Sequence, residues 1–162
     1  MEDLNNLLSR LHTSKVDFVL VGGLAAVVYG GSHVTQDVDV CCRFSLENLQ
    51  RLSHALADLR PIHRLTPQKL AFEFTESFCT NLKNLYLQTD IGVIDCLSEV
   101  LGVGDYDQVF QHSVIIELPF GQCRVLDLDS LIRAKEAMNR PHDRITVSQL
   151  KSIRERNSSL IN

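Results

Sequence analysis

Leu4, Leu7, Leu8 and Leu11 recur at helical spacing, whereas Val16 to Val21 is a short β-branched run closed by Gly22-Gly23. The chain therefore opens as a helix followed by a strand. Leu24 to Tyr29 is small and apolar and ends at Gly30-Gly31, which suits a short buried helix with a glycine stop. Asp37 to Phe44 alternates and then runs apolar, as a strand would. Ser45 is placed to cap a helix whose Leu49, Leu52, Leu56 and Leu59 form one stripe, with Pro61 just past its end.

Between 61 and 83 the pattern assigns nothing: Thr66-Pro67 resembles a helix start, yet Phe72, Phe74 and Phe78 suit a strand or a loop equally. Leu85 to Thr89 and Val93 to Leu97 predict two strands joined around Asp90-Gly92, and Val114 to Leu118 with Cys123 to Leu128 flank the turn Pro119-Phe120-Gly121. Asp129 is expected to cap a helix reaching Asn139, and Thr146 a last helix reaching about Arg156. The expectation is an α/β (α+β) domain over 1–156, with a sheet of about five or six strands flanked by helices. Residues 157–162 form a disordered tail in this reading.

A length of 162 residues suits one domain, and 44% hydrophobic residues suffice for an ordinary core. The first residues are acids and amides, unlike a secretory signal, and no apolar run approaches the length of about 20 residues that spans a bilayer. A cytoplasmic protein with no membrane partner is expected. Cys41, Cys42, Cys79, Cys96 and Cys123 contain no CxxC pair and, lying mostly among apolar neighbours, are expected to be free core thiols. The net charge of -4 is unevenly spread: from Arg133 to Arg156 seven basic residues face three acidic ones, giving +4 there and -8 elsewhere. Such a segment attracts phosphates or forms a solvated helix face.

Asp-x-Asp occurs three times, at Asp37/Asp39, Asp105/Asp107 and Asp127/Asp129. Asp105 and Asp107 lie in a glycine-led turn that begins a helix, and Asp129 serves as a cap with Asp127 at a strand end, so those pairs are structural. Asp37 and Asp39 interrupt an apolar strand, and alternation puts both carboxylates on one face. Like charges about 7 Å apart along a strand call for positive charge between them, which divalent ions held about 3.5–4 Å apart would supply; an edge strand showing two acids to water is the alternative.

A strand that turns through Gly22-Gly23 into a helix leaves backbone N–H groups free where a phosphate is favoured. Neither a Walker A loop nor GxGxxG is present. Asp95, an acid inside the apolar run Gly92 to Leu97, needs a partner, either a metal ion or a basic side chain.

Val21-Gly22-Gly23, thirteen intervening residues and Asp37-Val38-Asp39-Val40 resemble the signature of the polymerase-beta-like nucleotidyltransferase superfamily. The chain further resembles small bacterial AbiEii-type toxin nucleotidyltransferases through Thr35, through Asp95 in its apolar run, and through Ser130 to Lys135 with Arg140 and Asp143. The resemblance implies a mixed-sheet nucleotidyltransferase fold and transfer of NMP from an NTP to a hydroxyl on RNA, protein or a small molecule, with pyrophosphate released. It implies that Asp37, Asp39 and Asp95 are the catalytic and metal-binding residues, holding two Mg2+ ions (Mn2+ in their place) with Asp95 drawing the proton from the attacking hydroxyl. Gly22, Gly23, His33, Thr35 and Lys135 would bind the nucleotide, and Arg140 and Asp143 would pair to join the last two helices. His33 and Val93 stand where relatives commonly carry arginine, so a phosphate contact at His33 becomes dependent on pH. The alternative is a weakly active or inactive binding partner in a toxin–antitoxin-like pair.

Overall fold

The N-terminal leucine stripe folds as α1 (Glu2–Thr13), which buries Leu4, Leu7, Leu8 and Leu11. The computed structural model describes residues 1–32 and 34–160. β1 (Phe18–Val21), wholly buried, leads directly into α2 (Gly22–Val28), and β2 (Asp37–Cys42) follows. α3 (Leu46–Leu56) is capped by Ser45, whose side chain accepts from the Asn48 N–H, and a 3-10 turn at Ala57–Leu59 ends the stripe before Pro61.

The stretch with no sequence assignment holds β3 (Ile62–His63) and the single turn α4 (Glu76–Cys79). β4 (Asn84–Thr89) and β5 (Gly92–Leu97) form the expected hairpin. A two-stranded ribbon, β6 (Glu99–Val100) with β7 (Gly104–Asp105), leads into α5 (Tyr106–Gln111). There Asp105 and Gln108 complete a reciprocal capping box, as the turn reading of that Asp-x-Asp anticipated. β8 (Ser113–Leu118), β9 (Gly121–Leu126), α6 (Leu128–Met138) and α7 (Pro141–Ser159) complete the chain.

Among the described residues the main sheet runs β3-β4-β5-β2-β1-β9-β8. It is mixed: β2 is antiparallel to β1 and parallel to β5, and β1 is parallel to β9. The pattern of the sequence accounts for six of these strands. The seventh, β3, is two residues long and shows no period. Val38 and Val40 are fully buried, and α1 packs against both β2 and β5, so the two central parallel strands present one face to the leucine stripe and the other to the site.

Two caps differ from expectation. Asp127, not Asp129, caps α6, accepting from the Ser130 N–H at 2.7 Å. Asp129 lies in the first turn and pairs with Arg154 at 3.0 Å. α7 begins at Pro141, with its fixed φ in the first turn, and not at Thr146, which is buried inside the helix with its hydroxyl directed to the His142 carbonyl. The helix also continues three residues past Arg156, to Ser159. The end of the expected tail, 161–162, lies outside the described residues. All five cysteines are free and buried, as their apolar surroundings implied.

Candidate metal centre

The parallel pairing of β2 with β5 sets Asp39 opposite Asp95 and Asp37 opposite Val93. Alternation along β2 leaves Asp37 and Asp39 half-buried on the face away from the α1 core, and Asp95 is 8% exposed beside them. One carboxylate oxygen from each of the three lies within 4.8 Å of the others. The sequence singled out these three acids separately, and the register of two strands brings them together.

Gly22 and Gly23 sit at the rim of this cluster, because Val21 is the register partner of Asp39. The Gly23 N–H points at Asp39 Oδ2 from 3.5 Å. Gly22 adopts φ +66, and a Cβ there would lie 2.0 Å from Asp39 Oδ2, so no side chain fits between turn and carboxylate. Thr35 Oγ1 donates toward Asp37 Oδ1 at 3.0 Å and lies 3.1 Å from the Asp37 carbonyl, which fixes the side chain of the first acid. His33 lies outside the described residues.

Burial and neighbouring negative charge raise the proton affinity of Asp39 and Asp95. The Asp39 carboxyl is pushed up to about 6, chiefly by burial and then by the negative charges of Asp37 and Asp95; the Gly23 N–H and the Lys135 charge oppose the rise. A raised carboxyl contributes stability at pH values below 3.8 that is lost as pH climbs through about 6. In metal-free protein the stability of Asp39→Asn relative to the wild type should therefore rise between about pH 4 and about pH 7, which urea unfolding at the two values checks. A flat difference would show that the cluster is not electrostatically crowded.

The partner demanded by Asp95 is Arg64, in the turn after β3. Its Nε lies 3.1 Å from Asp95 Oδ1 and its terminal nitrogen 2.5 Å from Oδ2. Burial still leaves the Asp95 carboxyl above the usual range, with Arg64 opposing the rise and Asp37 adding to it. Sequence reasoning missed Arg64. Its only signal was the need for a cation near Asp95, because β3 is too short to show which of its residues share a face.

Lys135 is 6% exposed on α6 and binds Asp143 Oδ1 at 3.2 Å, so this pair joins α6 to α7. Arg140, expected to make that link, contacts the same carboxylate at 2.6 Å from the N-cap of α7, within the start of the helix. Burial works to raise the Asp143 carboxyl, but Arg140 and Lys135 together hold it below the ordinary carboxylate value. Both cations act on the site from a distance: Lys135 favours ionised Asp39, and Asp39 and Asp37 in turn favour the charged form of Arg140. Asp143→Ala would leave the Lys135 ammonium buried without its carboxylate and should cost about 3 kcal/mol in urea unfolding. A loss under about 1 kcal/mol would mean that Lys135 reaches water easily.

No protein-family model matches the chain, and no curated protein matches it in sequence. Solved structures do. Lincosamide antibiotic adenylyltransferase LnuA, in its lincomycin-bound form, superposes with a TM-score of 0.65 at 14% identity, over 94% of this chain and 97% of LnuA. ANT(2'')-Ia in complex with adenylyl-2''-tobramycin gives 0.53 at 13% identity, over 98% and 96%. A putative nucleotidyltransferase from Thermotoga maritima gives 0.57 at 17% identity, over 96% and 91%. The chain therefore has the fold of these nucleotidyltransferases, a mixed sheet flanked by helices. Among the described residues no helix is long and apolar enough to cross a membrane.

Proposed function

We propose that this protein transfers a nucleotidyl group from an NTP to a hydroxyl of a small molecule, with pyrophosphate leaving. The observation that carries this reading is the convergence of Asp37, Asp39 and Asp95 beside a glycine turn that admits no side chain. Hard carboxylate oxygens in threes suit Mg2+ or Mn2+, and the mutual repulsion that raises Asp39 is what a divalent cation would relieve. Bound there, such ions would neutralise the phosphates and make the acceptor hydroxyl more acidic.

The residues divide the remaining work. Asp37, aligned by Thr35, and Asp39 would hold the ions, and the Gly22-Gly23 turn beside Asp39 would lie against the outer phosphates. Asp95 accepts the hydroxyl proton as that oxygen bonds to the α-phosphorus. The bond from that phosphorus to the bridging oxygen breaks, and pyrophosphate departs with the electron pair. Arg64 covers one side of Asp95 and leaves each oxygen a lone pair, so proton acceptance and ion pairing are compatible. Lys135, engaged with Asp143, contributes positive potential toward the phosphates and not a direct grip. His33 is the remaining proposed phosphate contact.

The small-molecule acceptor is supported by the length of the match: nearly the whole of lincomycin-bound LnuA and of ANT(2'')-Ia in complex with adenylyl-2''-tobramycin superposes on this chain. The kinship to AbiEii-type chains rests on motif order alone. Calorimetry with a nonhydrolysable NTP tests the reading. Affinity should rise at least about tenfold on adding Mg2+, as expected when ion and phosphates share a site. Equal affinity with and without Mg2+ would favour the other reading, a fold-preserving partner in a toxin–antitoxin-like pair.

A further inference from the structure

The sheet carries a row of residues running straight across four strands. Val21 pairs with Asp39, Asp39 with Asp95, and Asp95 with Tyr86. Arg64 extends the row, because its backbone N–H donates to the Tyr86 carbonyl at 3.0 Å. From that anchor its side chain passes over Tyr86, with the guanidinium carbon 5.6 Å from the ring centroid, and meets both oxygens of Asp95. Arg64 thus approaches Asp95 from the side opposite Asp39.

We propose that Arg64 is a positioning residue, whose fork sets the plane of the Asp95 carboxylate so that one oxygen stays turned toward Asp37 and Asp39. The inference rests on the metal-centre reading above. A fork that meets two oxygens at once fixes a plane as well as a place, which a single point charge does not. The Tyr86 ring supports the guanidinium from below, so the height of the fork is set by the sheet and not by solvent. Each Asp95 oxygen has two lone pairs, and the arginine occupies one of each. What Arg64 does for Asp95, Thr35 does for Asp37: each holds a ligand carboxylate from outside the cluster.

Lysine separates this role from simple charge balance, since Arg64→Lys keeps the cation and loses the fork. The experiment counts bound Mn2+ by its electron paramagnetic resonance signal, in the presence of a nonhydrolysable ATP analogue. Asp95→Asn should remove the more weakly held ion and so identifies the Asp95-dependent site. Arg64→Lys should weaken that ion by about tenfold and leave the other unchanged, the scale known for residues that orient metal ligands. Tyr86→Leu, which removes the support and keeps the arginine, should act in the same direction by about threefold and serves if Arg64→Lys folds poorly. Unchanged Mn2+ affinity in both variants, with the Asp95→Asn effect intact, overturns the role of Arg64 alone. Parallel weakening of both ions together with lower urea stability also overturns it, because that is the mark of a structural pair. If Asp95→Asn binds as many ions as the wild type, the metal-centre reading fails and Arg64 falls with it.

Discussion

Replacing Asp39 with asparagine should lower the transfer of label from an NTP to an acceptor hydroxyl by about a thousandfold or more, corresponding to about 4 kcal/mol of barrier. Asparagine is nearly the same size, so the register of β2 with β1 and β5 is undisturbed. What disappears is one of three charges that share a space 4.8 Å across. Because that charge costs stability without a metal ion, metal-free Asp39→Asn should be at least as stable as the wild type at neutral pH. Lost transfer with retained or improved stability is the expected pair of results. Transfer within about tenfold of the wild type would place the chemistry elsewhere.

The second large effect belongs to Gly22→Ala. A Cβ at this position would sit 2.0 Å from Asp39 Oδ2 and 2.6 Å from both Asp39 Cβ and Cγ, on a backbone at φ +66. Alanine there carries a left-handed backbone cost of about 1 kcal/mol, and the clash is relieved only if Asp39 swings out of the cluster. Magnesium-dependent NTP binding should therefore fall about a hundredfold, while urea unfolding registers about 1–3 kcal/mol. The turn then has a function separate from the phosphate contact proposed for it: it leaves room for the second aspartate. Binding within about threefold of the wild type would show that Asp39 does not need its present position.

Much of this architecture is legible in the hydrophobic pattern, because long elements repeat their signal. The α1 and α3 stripes, the β4–β5 hairpin and the apolar back of β2 all appear where spacing predicts them. The caps of the last helices are less legible, since Asp127 and Asp129 are both good caps by chemistry. The choice depends on where β9 ends, and the strand ends at Leu126. Arg140 and Asp143 are adjacent enough to suggest a pair, but the buried Lys135 that makes the interhelical bond follows only from the packing of α6 on α7. In the site, each acid carries a local signal, whereas their meeting is a product of parallel register. Arg64 carries no signal in its own neighbourhood: it sits in the turn after a two-residue strand and acts 31 positions away in sequence.

The three carboxylates and the glycine turn are proposed to form one site for divalent ions and a triphosphate. A crystal soaked with Mn2+ and a nonhydrolysable NTP tests it, with the ions located by anomalous scattering. Mn2+ is expected among the carboxylates of Asp37, Asp39 and Asp95, with the outer phosphates against the Gly22-Gly23 backbone. Manganese bound away from these three aspartates, or a triphosphate that does not touch the turn, would contradict it.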